Sequence, residues 1–219
     1  MERVYCILIG YVFGLFQTAY IYGRSKGIDI RKEGSGNAGT TNTLRVLGTK
    51  AGLIVFAGDV LKCILAIVLV DFIFGKEYSD IRYLLKIYTA AGAILGHNFP
   101  FYLKFKGGKG IAATAGLILA FHWTFIPVGA VMFFGAFLIT HYVSLGSLLI
   151  YAGFMTQLII SGQNGLFDMT QPVLYEMYAV GAFLTIMAFF RHRANIVRLV
   201  HGNERKTYLF KKKTLEREA

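Results

Sequence analysis

The sequence predicts an all-α, polytopic membrane bundle, with seven transmembrane helices, the N-terminus outside and the C-terminus cytoplasmic. Three observations lead there. Of 219 residues, 55% are hydrophobic and 16% charged, with a mean hydropathy of +0.54, which is too apolar for an ordinary water-facing surface. Apolar segments recur along the whole chain, several of them near the roughly 20 residues a helix needs to cross a bilayer. The positive charge falls in a few segments between them, as the topology of a membrane protein requires.

The segments lie at about 4–22, 51–74, 83–97, 110–121, 123–141, 143–161 and 173–190. The first has one acidic and one basic residue before it and no small-residue cleavage site, so it reads as a retained helix rather than a signal peptide. The third and fourth are short for a full crossing, as is tolerated where a helix ends in a protein-lined cavity, and Pro127 is expected to disturb the start of the fifth. Lys and Arg number six between the first two spans, three after the third (Lys104, Lys106, Lys109) and nine after the last, of 23 in all. These three segments are assigned to the cytoplasm, and an even number of crossings between Lys109 and Arg191 keeps them on one side. No repeat, low-complexity tract or linker divides the chain, which reads as one domain over 1–219.

The net charge of +11 on so apolar a chain excludes disorder and favours an anionic ligand or membrane surface over nucleic acid. Cys6 and Cys63 both lie in apolar runs, which supports neither a disulfide framework nor a thiolate metal site.

Three polar segments could carry chemistry. The first, Gly34-Ser35-Gly36-Asn37-Ala38-Gly39-Thr40-Thr41-Asn42-Thr43-Leu44-Arg45, combines glycines that let backbone N–H groups form a concavity with hydroxyl and amide donors and a guanidinium fork suited to phosphate; the same composition also suits a flexible polar loop. The second, Gly96 to Gly110, contains Lys104 and the turn Gly107-Gly108-Lys109-Gly110 just before an apolar helix, whose first N–H groups would attract phosphate if Gly110 opens it. It is not a nucleotide P-loop, because no Ser or Thr follows Gly-Lys and no strand precedes it; Lys104 and Lys106 also suit interfacial snorkelling. In the third, Arg191 to Lys206, a helix puts His192, Asn195 and Leu199 on one face, although a His after a membrane helix also suits a purely interfacial position. Lys211-Lys212-Lys213 suits anionic lipid headgroups. Asp59 and Lys62, three apart inside a span, pair most simply as a brace. Ser144 is expected level with the three segments, and Glu204 is expected to pair with Arg198 or Lys206.

Several chemistries lack support. No HExxH and no Cys/His zinc spacing occurs. No His is followed five positions later by Asp, and Gly-x-Ser-x-Gly is absent. Few acids lie near the motifs, against a two-metal phosphotransferase.

The blocks Ser35 to Arg45, Gly96 to Gly110 and His192 to Lys206, with Tyr142-Val143-Ser144-Leu145, together resemble the bacterial acyl-phosphate-dependent glycerol-3-phosphate acyltransferase family in order, spacing and topology. Thr40 replaces the family's small residue, and Ala112-Ala113-Thr114 its usual Ala-Thr; neither change removes a charge. The resemblance implies transfer of a fatty acyl group from acyl phosphate to the 1-hydroxyl of glycerol 3-phosphate, giving lysophosphatidic acid and inorganic phosphate in phospholipid synthesis. It implies no metal or other cofactor, no required protein partner, and a bacterial plasma membrane location with the site facing the cytoplasm. Ser35, His192 and Lys104 are then expected at the chemistry. Gly36, Asn37, Thr41, Asn42, Gly107, Gly108, Lys109 and Gly110 are expected on the substrates, mainly the acyl phosphate. Arg45, Ser144 and Asn195, with Lys104 and His192, are expected to hold glycerol 3-phosphate. The proton acceptor is either a substrate phosphate oxygen or His192. The competing class is a transporter of phosphorylated metabolites, which needs polar groups through the membrane depth; a lipid-binding scaffold explains only the basic tail.

Overall fold

A computed structural model of the chain describes residues 1–208; Lys211-Lys212-Lys213 lies outside the described residues. Every predicted apolar segment is helical, and no strand occurs among the described residues. The first segment is two helices, α1 (Glu2–Gly14) and α2 (Thr18–Ser25). Gln17, fully buried, explains how the break is tolerated: its Nε2 donates to the carbonyls of Gly14, Gly96 and His97 at 3.1, 3.2 and 3.1 Å, satisfying backbone groups that the interruption and a helix end leave over.

A short α3 (Thr40–Leu47) leads through Gly48, at φ 87°, into the long α4 (Thr49–Phe74). Then follow α5 (Arg82–Asn98), α6 (Ile111–Phe121), α7 (Phe125–Thr140), α8 (Val143–Gln163), α9 (Gln171–Arg191) and α10 (Arg193–Val200). Four helical segments among the described residues are long and apolar enough to cross a membrane: Glu2–Ser25, Thr49–Phe74, Val143–Gln163 and Gln171–Arg191. The 11-residue α6 spans only roughly 16 Å, about half a hydrocarbon core. Pro127 does not disturb α7: it falls in the first turn, where a missing N–H removes no intrahelical bond.

The bundle is built around α5, which buries residues on every side, including Leu84, Ile87, Ala90 and Ile94. It meets α1 backbone to backbone. A Cβ on Gly10 would lie 2.0 Å from the Thr89 carbonyl oxygen, and one on Gly92 would lie 2.2 Å from that of Ile7. Gly14 and Gly96 are opposed in the same way. With no hydrophobic driving force between helices in lipid, such close approach supplies the packing. On the outside, Leu8, Val12, Leu61, Leu65, Val68, Phe72, Leu138, Ile139 and Ile186 are exposed, an apolar surface of the kind lipid covers.

Gly92→Ala is expected to destabilise the protein by about 1–3 kcal/mol through overpacking. Gly135→Ala, with nothing within 4 Å of its Cβ, is expected to be neutral or slightly stabilising. Thermal unfolding of both variants in detergent checks this.

Candidate active site

The three polar segments converge on one cavity of about 440 Å³. Two helix starts face it. Gly39 caps α3 and Gly110, at φ 83°, caps α6, and Thr40, Thr41, Ile111 and Ala112 from their first turns line the wall. The start of α6 was expected there; that of α3 was not, because a short Thr-rich segment reads as loop.

The Ser35 segment is shaped by Asn42. This buried amide donates through Nδ2 to the carbonyls of Ile30 and Glu33, both at 3.0 Å, and accepts from the Ser35 N–H at 2.8 Å. Gly34 lies so close that a Cβ would be 2.4 Å from Asn42 Oδ1, and its φ is 59°. Asn42, expected on a substrate, therefore holds the loop, and the Ser35 N–H is engaged within the protein. Ser35, Gly36, Asn37, Thr41, Asn42 and Arg45 all line the cavity. Arg45 Nη2 donates to the Arg205 carbonyl at 3.1 Å and to Thr207 Oγ1 at 2.6 Å.

In the second segment Lys109 and Gly110 line the cavity, but three expected residues do not. Lys104 is exposed, on a turn where it and Phe105 have φ 55° and 60°. The N–H groups of Gly107 and Gly108 donate to the carbonyls of Asn98 and His97, each at 3.2 Å, so neither is available to cradle an anion. A Cβ at Gly107 would lie 2.0 Å from the His97 carbonyl, and one at Gly108 would lie 2.1 Å from the His97 ring. The glycines are there to let the turn close onto the end of α5. Arg191 fastens it from the other side, donating through Nη2 to the carbonyls of Gly107 at 3.2 Å and Gly108 at 2.6 Å.

Glu204 organises the third segment. Its buried carboxylate accepts from Ser144 Oγ at 3.1 Å, Asn195 Nδ2 at 2.7 Å and Arg198 Nε at 2.7 Å. Lys109 Nζ donates to Asn195 Oδ1, so the Asn195 amide joins the carboxylate to the ammonium. The expected pairing with Arg198 is present, while Lys206 lies over the Tyr142 ring at 6.0 Å. His192 is buried; its Nδ1 lies 2.8 Å from the Ala188 carbonyl, which fixes the proton on Nδ1 and leaves Nε2 as the acceptor.

The sequence profile described as glycerol-3-phosphate acyltransferase matches residues 4–202. The chain belongs to the glycerol-3-phosphate acyltransferase family. A relative of that name from Thermosipho melanesiensis is 39% identical over 213 residues, covering 94% of each chain, and one from Clostridioides difficile strain 630 is 39% identical over 206 residues, covering 91% of this chain and 92% of the relative. The fold is similar to crystal structures of PlsY (YgiH), described as an integral membrane glycerol 3-phosphate acyltransferase. Its glycerol 3-phosphate form matches with TM-score 0.78 and 31% identity, covering 95% of this chain and 96% of that one. Its lysophosphatidic acid form matches with 0.76 and 29%, covering 95% and 97%. This chain is accordingly a multi-pass membrane protein.

In this family member the polar segments place five cations, Arg45, Lys109, Arg191, Arg198 and Arg205, around one cavity. Burial lowers the Lys109 ammonium to about 8; Glu204 opposes the shift, and Arg198, Arg191 and Arg45 add to it. Burial and the nearby Lys109 hold His192 at about 4, so its ring is neutral at physiological pH. Arg191, Arg198, His97 and Asp59 line the cavity without having been singled out as site residues. For Arg198 the signal was present, since it continues the His192, Asn195 spacing by another three residues; Arg191 was counted only towards topology.

Lys109 carries its charge below about pH 8 in the free enzyme, so affinity for a phosphate ligand is expected to fall as pH rises through that value. In kcat/KM, which reports the free enzyme, this gives an alkaline limb near pH 8. Lys109→Arg should move the limb to higher pH, because a guanidinium stays protonated there; a pH–rate series on both proteins measures it.

Proposed function

We propose that this cavity binds the phosphates of glycerol 3-phosphate and of an acyl phosphate, and transfers the acyl group to the 1-hydroxyl of glycerol 3-phosphate. The products are lysophosphatidic acid and inorganic phosphate. The observation that carries the reading is the convergence of five cations and two helix starts on one cavity at the end of an apolar bundle. Phosphate oxygens suit both kinds of donor, and a long acyl chain suits the apolar bundle and its lipid. The family membership supports the acceptor, and the two PlsY forms are described with glycerol 3-phosphate and with lysophosphatidic acid. The cations favour an acyl phosphate as donor, because it brings a second phosphate to a site with cations for more than one.

In this proposal residues 1–219 act as one domain of seven crossings in a bacterial plasma membrane, with the N-terminus outside and the cavity and C-terminus on the cytoplasmic side. The distribution of Lys and Arg supports that orientation. Arg45, Lys109, Arg191 and Arg198 hold the phosphates, and the first-turn N–H groups of α3 and α6 add to their field. Ser35, Gly36, Asn37, Thr41 and Gly110 shape the wall against the donor. Ser144 and Asn195 act through the Glu204 carboxylate to hold the cations in place. Lys104, outside the lining, contributes through the long-range field alone.

Acyl phosphate is a mixed anhydride with a good leaving group, so the main tasks are to hold the hydroxyl against the carbonyl and to stabilise the charge on the departing phosphate. As the new C–O bond forms at the carbonyl, the acyl C–O bond to phosphate breaks, inorganic phosphate leaves with the bridging oxygen, and the hydroxyl proton passes to a substrate phosphate oxygen. His192 is a weak base at about 4 and has no carboxylate on Nδ1 to strengthen it, so it serves as a hydrogen-bond acceptor that orients the substrate.

His192→Gln is therefore expected to raise KM for glycerol 3-phosphate while kcat stays within about tenfold. A loss of order 10⁴ in kcat at unchanged KM would make His192 the base instead. For the function itself, the purified protein supplied with palmitoyl phosphate is expected to release phosphate only when glycerol 3-phosphate is present, with lysophosphatidic acid identified by mass and no product from acyl-CoA alone. Folded protein with no turnover, but with glycerol 3-phosphate flux into proteoliposomes, would establish the transporter instead.

A further inference from the structure

Phosphate recognition accounts for one end of glycerol 3-phosphate, and His192 Nε2 offers its two hydroxyls a single acceptor, which leaves one hydroxyl without a partner. We propose that Asp59 accepts a hydrogen bond from the glycerol hydroxyls and so orients the substrate in the cavity. This rests on the reading of the cavity given above.

Asp59 lies ten residues into α4 and is 1% exposed, yet it lines the same cavity as the cations. One carboxylate oxygen is fully engaged. Oδ1 accepts from Thr18 Oγ1 at 3.0 Å and from Lys62 Nζ at 2.8 Å, and lies 3.6 Å from His97 Nδ1. Lys62 in turn donates to the Phe16 carbonyl at 2.8 Å and meets His97 Nδ1 at 2.8 Å. These contacts, from α2, α4, α5 and the segment between α1 and α2, hold the carboxylate through Oδ1. Its other oxygen, Oδ2, is buried and has no hydrogen-bond partner among the described residues.

The expected brace between Asp59 and Lys62 is present, but a brace alone accounts for Oδ1 only. The cavity lining holds two carboxylates, Asp59 and Glu204. Glu204 uses both oxygens on Ser144, Asn195 and Arg198, so of the carboxylate oxygens on these two lining residues only Asp59 Oδ2 has no donor among the described residues. A buried acceptor left unpaired is costly, and the ligand group that relieves it must be a donor. A phosphate dianion is repelled by a carboxylate, so it belongs with the cations. An O–H of the glycerol backbone is a neutral donor and suits Oδ2. The polar ends of the cavity thus give the substrate a direction: phosphate to the cations, hydroxyls to Asp59.

The test is equilibrium binding to the full-length protein in detergent, without acyl donor, comparing glycerol 3-phosphate with n-propyl phosphate, which carries the same phosphate and no hydroxyl. The wild type is expected to prefer glycerol 3-phosphate by about tenfold or more, the effect of one charge-assisted hydrogen bond. Asp59→Asn should remove most of that preference while leaving propyl phosphate affinity unchanged, a split that a purely structural role would not give. If the variant keeps the preference, or the wild type has none, Asp59 does not read the hydroxyls, although the phosphate reading stands. If neither compound binds, the reading of the cavity fails first and this inference with it. Because Asp59→Asn leaves Lys62 without its counter-ion, the pair Asp59→Asn with Lys62→Met is measured alongside it.

Discussion

Like charges cannot share a partly buried cavity without an anion among them, and that constraint governs this structure. Arg45, Lys109, Arg191 and Arg198 line one space, where burial weakens solvent screening. Two devices make the arrangement tolerable. Glu204 supplies a carboxylate that three donors share, and Arg191 spends its charge on the carbonyls of Gly107 and Gly108. Burial depresses Lys109 to about 8, and the neighbouring Arg198, Arg191 and Arg45 add to that shift. A bound phosphate would relieve it further, so the same crowding that strains the unliganded protein favours its ligand.

The scaffold is organised to bring backbone close to backbone where side chains would keep it apart. Gly10 and Gly14 on α1 press on Gly92 and Gly96 on α5, which places the broken first span beside the end of α5. Gln17 then bonds to the carbonyls of Gly96 and His97, and Gly107 and Gly108 fold back on the same turn. The end of α5 is thus held by the first span and by its own following loop. His97 connects it to Asp59 and Lys62, so packing deep in the bundle and geometry in the cavity are coupled through a few contacts.

Much of this was legible in the sequence. The apolar segments were visible because lipid permits few polar residues on a helix, and all of them are helices within a few residues of the expected ends. The polar blocks were visible because phosphate chemistry needs Gly, Ser, Asn and cationic residues together. What each residue does within a block was less legible. Gly107 and Gly108 read as an anion cradle, but their N–H groups bond to the chain before them. Asn42 read as a ligand, and beside lining the cavity it is the post of its loop. Lys104 read as a site residue and stands exposed outside the lining. In each case the residue type is the same for either role, and only the partner differs.

The sequence by itself determined the membrane class, the all-helical architecture, the resemblance to the acyltransferase family and the three segments that form the cavity. Those follow from composition and from patterns within a few turns of chain. The tertiary structure decided which groups face the cavity and which are consumed holding it together. That choice depends on contacts such as Ser144 with Glu204, Lys109 with Asn195 and Thr18 with Asp59, separated by 60, 86 and 41 residues. A pairing over such distances leaves no local mark, because it is fixed by how helices pack and by the requirement that a buried polar group find a partner.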